Sequence, residues 1–316
     1  MEFRRLGRSG LAVSVVGLGT NNLGMRLDAS ASREVVHAAL DHGVTLFDTA
    51  DVYGASEERL GVLLEGHRDN VVIATKFGSD VRRRGLDNGE DWGARGSRRY
   101  IRRAVEASLR RLRTDWIDLY QLHRPDPLTP IEETLSALTD LVREGKVRYV
   151  GSSQLRGWQV ADAEWVARSR GLERFVSAQN EYSLLERGVE DELVPALLEY
   201  GIGLLPFYPL ANGLLTGKYR RGEPAPAGSR IEAWGRESLL TDAMFDELEG
   251  LEAFAQSRGV HLLDVAIGGL AAQPAVASVI AGATSAAQVA ANVAAGQWRP
   301  TEDDLAELDE IAAPVS

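Results

Sequence analysis

Cysteine is absent from all 316 residues. Disulfides, thiolate nucleophiles, thiolate-held zinc and iron–sulfur clusters are therefore excluded. Lysine is nearly absent as well: the positive charge is written as 32 arginines and only Lys76, Lys146 and Lys218. Histidine is sparse. His37, His42, His67 and His261 lie on helical patterns or at their ends without ligand spacing, so no metal site is expected. No apolar run approaches the about 20 residues of a membrane-crossing helix, and the opening MEFRRLGRSG has no apolar stretch of the secretory kind. A cytoplasmic location is the expectation. Positive charge is also in deficit, with a formal net charge of −11, which argues against nucleic acid or an anionic membrane as partner.

What is present is ordinary globular material, 44% apolar and 26% charged. Short β-branched runs alternate with longer amphipathic ones. Strands are predicted at Val13–Leu18, Val44–Thr49, Val71–Phe77, Trp116–His123, Val147–Ser152, Phe175–Asn180, Gly203–Tyr208 and Ala277–Gly282. Helices are predicted at Ala31–His42 behind a Ser30 cap, Ser56–Glu65, Arg98–Leu112, Ile131–Glu144, Trp158–Ser169, Val189–Tyr200 and Ala286–Ala295. Eight strand–helix repeats in about 290 residues have the count and length of a (β/α)8 TIM barrel, an α/β fold, with residues 1–316 as a single domain. Residues 2–12 read as an N-terminal β-hairpin that could plug the barrel floor. Long loops follow strand three, at 78–97, and strand seven, at 213–240, with an extra helix at Asp242–Arg258. Loops of that length on the catalytic face suggest lids. Seven arginines between Arg98 and Arg113 suit a solvated helix face. Trp116, Trp158 and Trp165 read as packing residues.

Reactive groups of such a barrel sit at the C-terminal ends of its strands. Strand two ends in LFDTADVYG, with Asp48, Asp51 and Tyr53; strand three ends with Lys76; strand four ends with His123. Together, Asp48, Tyr53, Lys76 and His123 have a physical logic. A nearby ammonium favours the phenolate of a tyrosine, a carboxylate holds that ammonium, and a histidine donor orients a carbonyl oxygen beside the phenol. Such a set suits a carbonyl that receives a proton at oxygen while hydride arrives at carbon. None of the four supplies hydride, so a cofactor is required.

These residues lie in motifs, FDTADVYG, ATKFG, DLYQLHRPDP, GKVRYVGSS, QNEYSLL, PLANGLLTGKY and IAGATSAAQVAANV, whose order resembles the aldo-keto reductase superfamily, in its bacterial and potassium-channel-β-like branch. The resemblance runs over about residues 3–312, including the opening RRLGRSGLAVSVVGLGT. It implies an NAD(P)(H)-dependent oxidoreductase with a tyrosine proton donor, its tetrad falling on Asp48, Tyr53, Lys76 and His123. It implies nicotinamide contacts at Ser153, Gln154 (where the family usually has Asn) and Gln179, and a stacking ring at Phe207. It implies pyrophosphate contacts over Pro209, Leu210, Ala211, Gly213, Leu214 and Lys218, and adenosine contacts at Gly282, Thr284, Ser285, Gln288 and Asn292. Gly19, Thr20 and Asn21, with Asp48, complete the expected cofactor contacts. Substrate selection falls to Asn22, Met25, Trp92, Tyr208 and Trp234, and Arg82–Arg84 are candidates for an acidic substrate.

NADP(H) is the expected cofactor. Gly282–Ser285 carries no Arg or Lys for a 2′-phosphate, so NAD(H) stays open. The expected partner is a small carbonyl or alcohol substrate. The alternative is a cofactor-binding regulatory subunit like the potassium-channel β-subunits. A barrel lyase or isomerase without nicotinamide fits the cofactor residues less well.

Overall fold

The computed structural model describes residues 1–88 and 92–312, without the side chains of Arg83 and Arg84. Two short strands, β1 (Phe3–Arg5) and β2 (Ala12–Ser14), form an antiparallel hairpin. Eight parallel strands follow: β3 (Val16–Gly19), β4 (Leu46–Asp48), β5 (Val72–Phe77), β6 (Ile117–Leu122), β7 (Val147–Ser153), β8 (Ser177–Gln179), β9 (Gly203–Leu204) and β10 (Val279–Gly282). They pair in chain order, and β10 returns to lie beside β3. The remaining seam is closed by backbone bonds: the Ala277 amide donates to the Leu204 carbonyl at 2.9 Å and the Ile280 amide to the Pro206 carbonyl at 3.0 Å. The result is a (β/α)8 barrel. All eight expected strands are present, most of them trimmed at their ends.

The hairpin plugs the barrel floor. Leu6 and Val13 are fully buried against inward residues of the barrel, among them Leu46, Leu119, Leu205 and Ile280. Burial of such side chains contributes roughly 1.5–3 kcal/mol each.

The helices are α1 (Asn21–Met25), α2 (Ala29–Asp41), α3 (Ser56–Leu63), α4 (Arg98–Leu112), α5 (Ile131–Arg143), α6 (Gly157–Arg170), α7 (Leu193–Tyr200), α8 (Arg230–Ala233), α9 (Asp242–Ser257), α10 (Leu262–Ala271), α11 (Ala286–Ala295) and α12 (Glu302–Ile311). Most lie outside the barrel and bury an apolar stripe against its strands in the largest core cluster. Helix α2 is capped by Asp28, whose carboxylate accepts the Ala31 amide at 2.8 Å, rather than by Ser30. Asp and Ser cap about equally well, and here the earlier residue prevails. Sequence reading missed α10, the crossover helix into β10. Its LLDVAIGGLA carries a single charged residue, Asp264, too little to mark an amphipathic face.

The segment after strand seven is not a bare lid. Leu214, Leu215, Ile231, Phe245, Leu248 and Leu251 build a second core of their own beside the barrel. On the outer surface, Trp158 and Trp165 are 58% and 60% exposed, so neither is the packing residue expected. On α4, Arg98 pairs with Asp140 of α5 and Arg102 with Glu144 at its C-terminal cap, as a solvated face should. Arg111 does not follow them: it is drawn inward to the buried Glu57 at 2.7 Å.

Candidate active site

Consecutive parallel strands deliver the tetrad to one mouth. Asp48 ends β4, Lys76 lies one residue before the end of β5, and His123 follows β6, its amide bonded to the Phe77 carbonyl at 2.8 Å. Tyr53 hangs from the loop after β4. Gly24 on α1 makes that placement possible. A Cβ there would sit 1.7 Å from the Tyr53 carbonyl oxygen, and Gly54, at φ +59°, meets Gly24 from the other side.

Lys76 is wholly buried. Its ammonium donates to Asp48 Oδ2 at 2.7 Å, Asp48 Oδ1 at 2.8 Å and the Thr49 carbonyl at 2.7 Å, which engages all three of its protons. Its Nζ lies 5.2 Å from the Tyr53 ring centre, so it acts on the phenol by field and packing. The Tyr53 and His123 rings meet edge to face at 5.8 Å. The buried His123 Nδ1 has no hydrogen-bond partner among the described residues.

Burial dominates the electrostatics. It pushes the Tyr53 phenol far above its ordinary value, reinforced by Asp48, Tyr208 and Asp51 and opposed by Arg124. The expected depression by Lys76 is therefore outweighed, because desolvation of a phenolate exceeds the pull of an ammonium already committed to Asp48. Burial likewise pulls Lys76 below its usual range against the pull of Asp48. It holds His123 well below its own, with Lys76 and Arg124 adding, so the imidazole is neutral at physiological pH. Behind the tetrad, burial raises the Asp51 carboxyl well above its usual range, with Glu57 adding and Arg111, the Asn88 bond and Lys76 opposing. Asn88 donates to Asp51 Oδ2 at 2.9 Å and Thr75 to Glu57 at 2.6 Å, so a buried polar cluster underlies the catalytic strands.

A cavity of about 1390 Å³ opens at this mouth and runs across the C-terminal ends of the strands. Tyr53 and His123 line one part of it, and Gly282, Thr284, Gln288 and Asn292 line another. The aldo/keto reductase family model matches residues 15–313. The chain belongs to the aldo/keto reductase family. It is 35% identical to "Uncharacterized oxidoreductase YrpG" of Bacillus subtilis over 98% of this chain and 96% of that protein. It is 34% identical to "L-glyceraldehyde 3-phosphate reductase" of Escherichia coli over 99% and 93%. It is 36% identical to "Probable voltage-gated potassium channel subunit beta" of Oryza sativa subsp. japonica over 93% and 91%.

As an aldo/keto reductase family member, the chain brings most of the expected cofactor residues to one wall. Gly19, Thr20, Asn21, Asp48, Ser153, Gln154, Gln179, Phe207, Pro209, Leu210, Gly213 and Lys218 also line the cavity. Several polar groups among them are engaged within the protein. Gln179 donates to Asp48 Oδ1 at 2.8 Å, Ser153 to the Gln179 carbonyl at 2.8 Å, and the longer amide of Gln154 to the His123 carbonyl at 3.1 Å. Gln288 accepts from the Thr284 amide at 2.8 Å.

Three expected cofactor residues do not line the cavity. Leu214 is turned into the second core, Ala211 forms a left-handed turn, and Ser285 caps α11. Of the substrate candidates, Asn22, Met25, Tyr208 and Trp234 line the cavity. Trp92 does not: it is 73% exposed, with the Arg99 guanidinium 4.0 Å from its ring centre. Arg82 pairs with Asp80 at 3.2 Å, and the side chains of Arg83 and Arg84 lie outside the described residues. Sequence reading missed Arg26, Arg95, Arg124, Arg230 and Arg236, all of which line the cavity. Among 32 arginines nothing local marks these five.

Proposed function

We propose that the chain is a single-domain, cytoplasmic, NADP(H)-dependent reductase of aldehydes or ketones, running in reverse on alcohols. The observation that carries this reading is the meeting of Tyr53 and His123 in the cavity wall with the buried Lys76–Asp48 pair behind them. The donor set suits a dinucleotide phosphate. Lys218, Arg26 and Arg230 sit close enough that the last two, after burial, depress the Lys218 ammonium. None of the three has an ion-pair partner among the described residues, and anionic phosphates would supply one. When bound, the dihydronicotinamide supplies hydride to the carbonyl carbon.

The chain's own groups handle the proton. The neutral His123 holds the carbonyl oxygen beside Tyr53 Oη, and the phenol gives its proton to that oxygen as negative charge develops there. Lys76, anchored by Asp48, places positive charge behind the phenol as it becomes a phenolate. Ser153, Gln154, Gln179 and Phe207 form the wall for the nicotinamide ring, and Gly282, Thr284, Gln288 and Asn292 form the adenosine end.

Steady-state reduction of a simple aldehyde with NADPH and with NADH tests the cofactor reading. NADPH should have the higher kcat/KM, and a ratio near ~10³ would correspond to about 4 kcal/mol of differential binding. A preference for NADH would overturn the NADP(H) assignment. Tight NADPH binding without turnover on any aldehyde would favour the regulatory-subunit alternative, which the relatives named as channel subunits also fit.

A further inference from the structure

The chain is acidic, yet the cavity at the strand ends is cationic. Six cationic side chains line it, Arg26, Arg95, Arg124, Lys218, Arg230 and Arg236, against the carboxylates of Asp48, Asp80 and Glu181. A concave site lined by one sign of charge concentrates ligands of the opposite sign.

The cations divide into two groups. Lys218, Arg26 and Arg230 lie together at the wing assigned to the cofactor phosphates. Arg124 stands apart from them at the reacting end, directly after His123 in the chain. Its field bears on both Tyr53 and His123.

Among the described residues none of the cavity's carboxylates pairs with Arg124. Asp48 holds Lys76 and Gln179. Asp80 pairs with Arg82 at 3.2 Å and Arg95 at 3.4 Å. Burial and the neighbouring Glu186 push the Glu181 carboxyl above its usual range, and the cation that opposes them is Arg236. Arg124 makes no hydrogen bond or ion pair among the described residues. An exposed arginine in that state is commonplace on a protein surface. At the rim of a carbonyl site it is a planar two-pronged donor facing the place where the rest of a substrate must lie.

We propose that Arg124 binds an oxyanion, so that the substrates reduced here carry a carboxylate or phosphate on the same short chain as the carbonyl. The inference rests on the carbonyl-reductase reading. It assigns the substrate's charged end to Arg124, not to Arg82–Arg84.

The test compares matched aldehydes that differ by the anion. 4-Oxobutanoate is set against butanal, and glycolaldehyde phosphate against glycolaldehyde, each with NADPH. The full-length wild type should favour the anionic member of at least one pair by ~10–100-fold in kcat/KM, as a charge-assisted bidentate contact allows. The pair that shows the preference identifies carboxylate or phosphate. Arg124→Met should cut that ratio at least tenfold, chiefly through KM, and Arg124→Lys should restore part of it.

An influence of Arg124 exerted only through Tyr53 would move both members of a pair equally and shift the pH profile, leaving the ratio unchanged. A wild-type ratio near one in both pairs, or a ratio unmoved in Arg124→Met, would overturn the proposal. Calorimetric titration of the same aldehydes into the enzyme with NADP+ reads binding apart from turnover. Anion-selective binding without reduction would refute the reductase reading and support the anion site, whereas reduction without anion selectivity would do the reverse.

Discussion

Lys76 is the residue on which charge and shape can be separated. Its ammonium is wholly buried and fills three acceptors at 2.7–2.8 Å, a compact arrangement that a planar guanidinium cannot reproduce. Lys76→Met leaves Asp48 buried without its cation, at a cost of about 3–5 kcal/mol. Lys76→Arg keeps the charge but needs room that Asp48 and the Tyr53 ring occupy. Both variants should lose carbonyl reduction by ~10²-fold or more, with Lys76→Arg nearly as impaired as Lys76→Met. Lys146, a third exposed and paired with Glu106 at 2.7 Å, should accept Arg almost silently. Turnover of the three variants against pH, with folding followed by circular dichroism, decides the matter. Full activity in Lys76→Arg would show that geometry has no part in the role of Lys76. Asp48, Tyr53, Lys76 and His123 were all legible in the sequence, because strand ends in a barrel are few and four reactive side chains fell on three neighbours. Arg124 was not. It stands beside His123 in the chain, but only the fold shows that it faces the cavity with no carboxylate of its own.

Helix α1 shows what local sequence could not reveal about elements. Its five residues are too few to carry a periodic signal, and Gly24 is one of them. In the folded chain it is where α1 seats on the backbone of the Tyr53 loop, with no room for a methyl group. Gly24→Ala must therefore push the loop outward. We expect a loss of about 1–3 kcal/mol in stability from overpacking, together with at least tenfold lower kcat as Tyr53 leaves its register with His123. Thermal unfolding and steady-state kinetics on the same preparation test this, and a variant of wild-type stability and kcat would contradict the close approach. The loop after strand seven teaches a related lesson. Its length on the catalytic face suggested a lid, but Leu214, Leu215 and Ile231 tie it into a core built with α9. Those contacts are long-range, so no window of sequence contains them. Helix α10 is illegible for the opposite reason: eight of its ten residues are buried, and Asp264 alone does not mark a period.

Taken whole, the molecule sets a cationic cavity in a body of net charge −11. Diffuse attraction between that body and an anionic cofactor is unfavourable at long range, so capture depends on the local field of the cavity. Local fields between partly exposed charges weaken as the Debye length shortens from roughly 14 Å at 0.05 M salt to about 4 Å at 0.5 M. The dissociation constant for NADPH should therefore rise by about an order of magnitude across that range, with kcat changing far less. A salt-independent dissociation constant would show that Lys218, Arg26 and Arg230 do not meet the phosphates. The barrel itself was legible from its eight strand–helix alternations and from the hairpin, whose Leu6 and Val13 plug the floor. The particular bonds that close it were not: the seam between β9 and β10 rests on backbone bonds from residues such as Ala277 and Ile280.

The central claim is that Tyr53 gives the proton that completes carbonyl reduction. Tyr53→Phe removes one oxygen and keeps the ring that packs on His123 and Lys76. NADPH binding, followed by fluorescence quenching, and the rate of NADPH oxidation with an aldehyde should be measured on the same variant. Cofactor binding should be near native and turnover lower by ~10²–10⁴-fold. Turnover within a few fold of the native enzyme would contradict the claim.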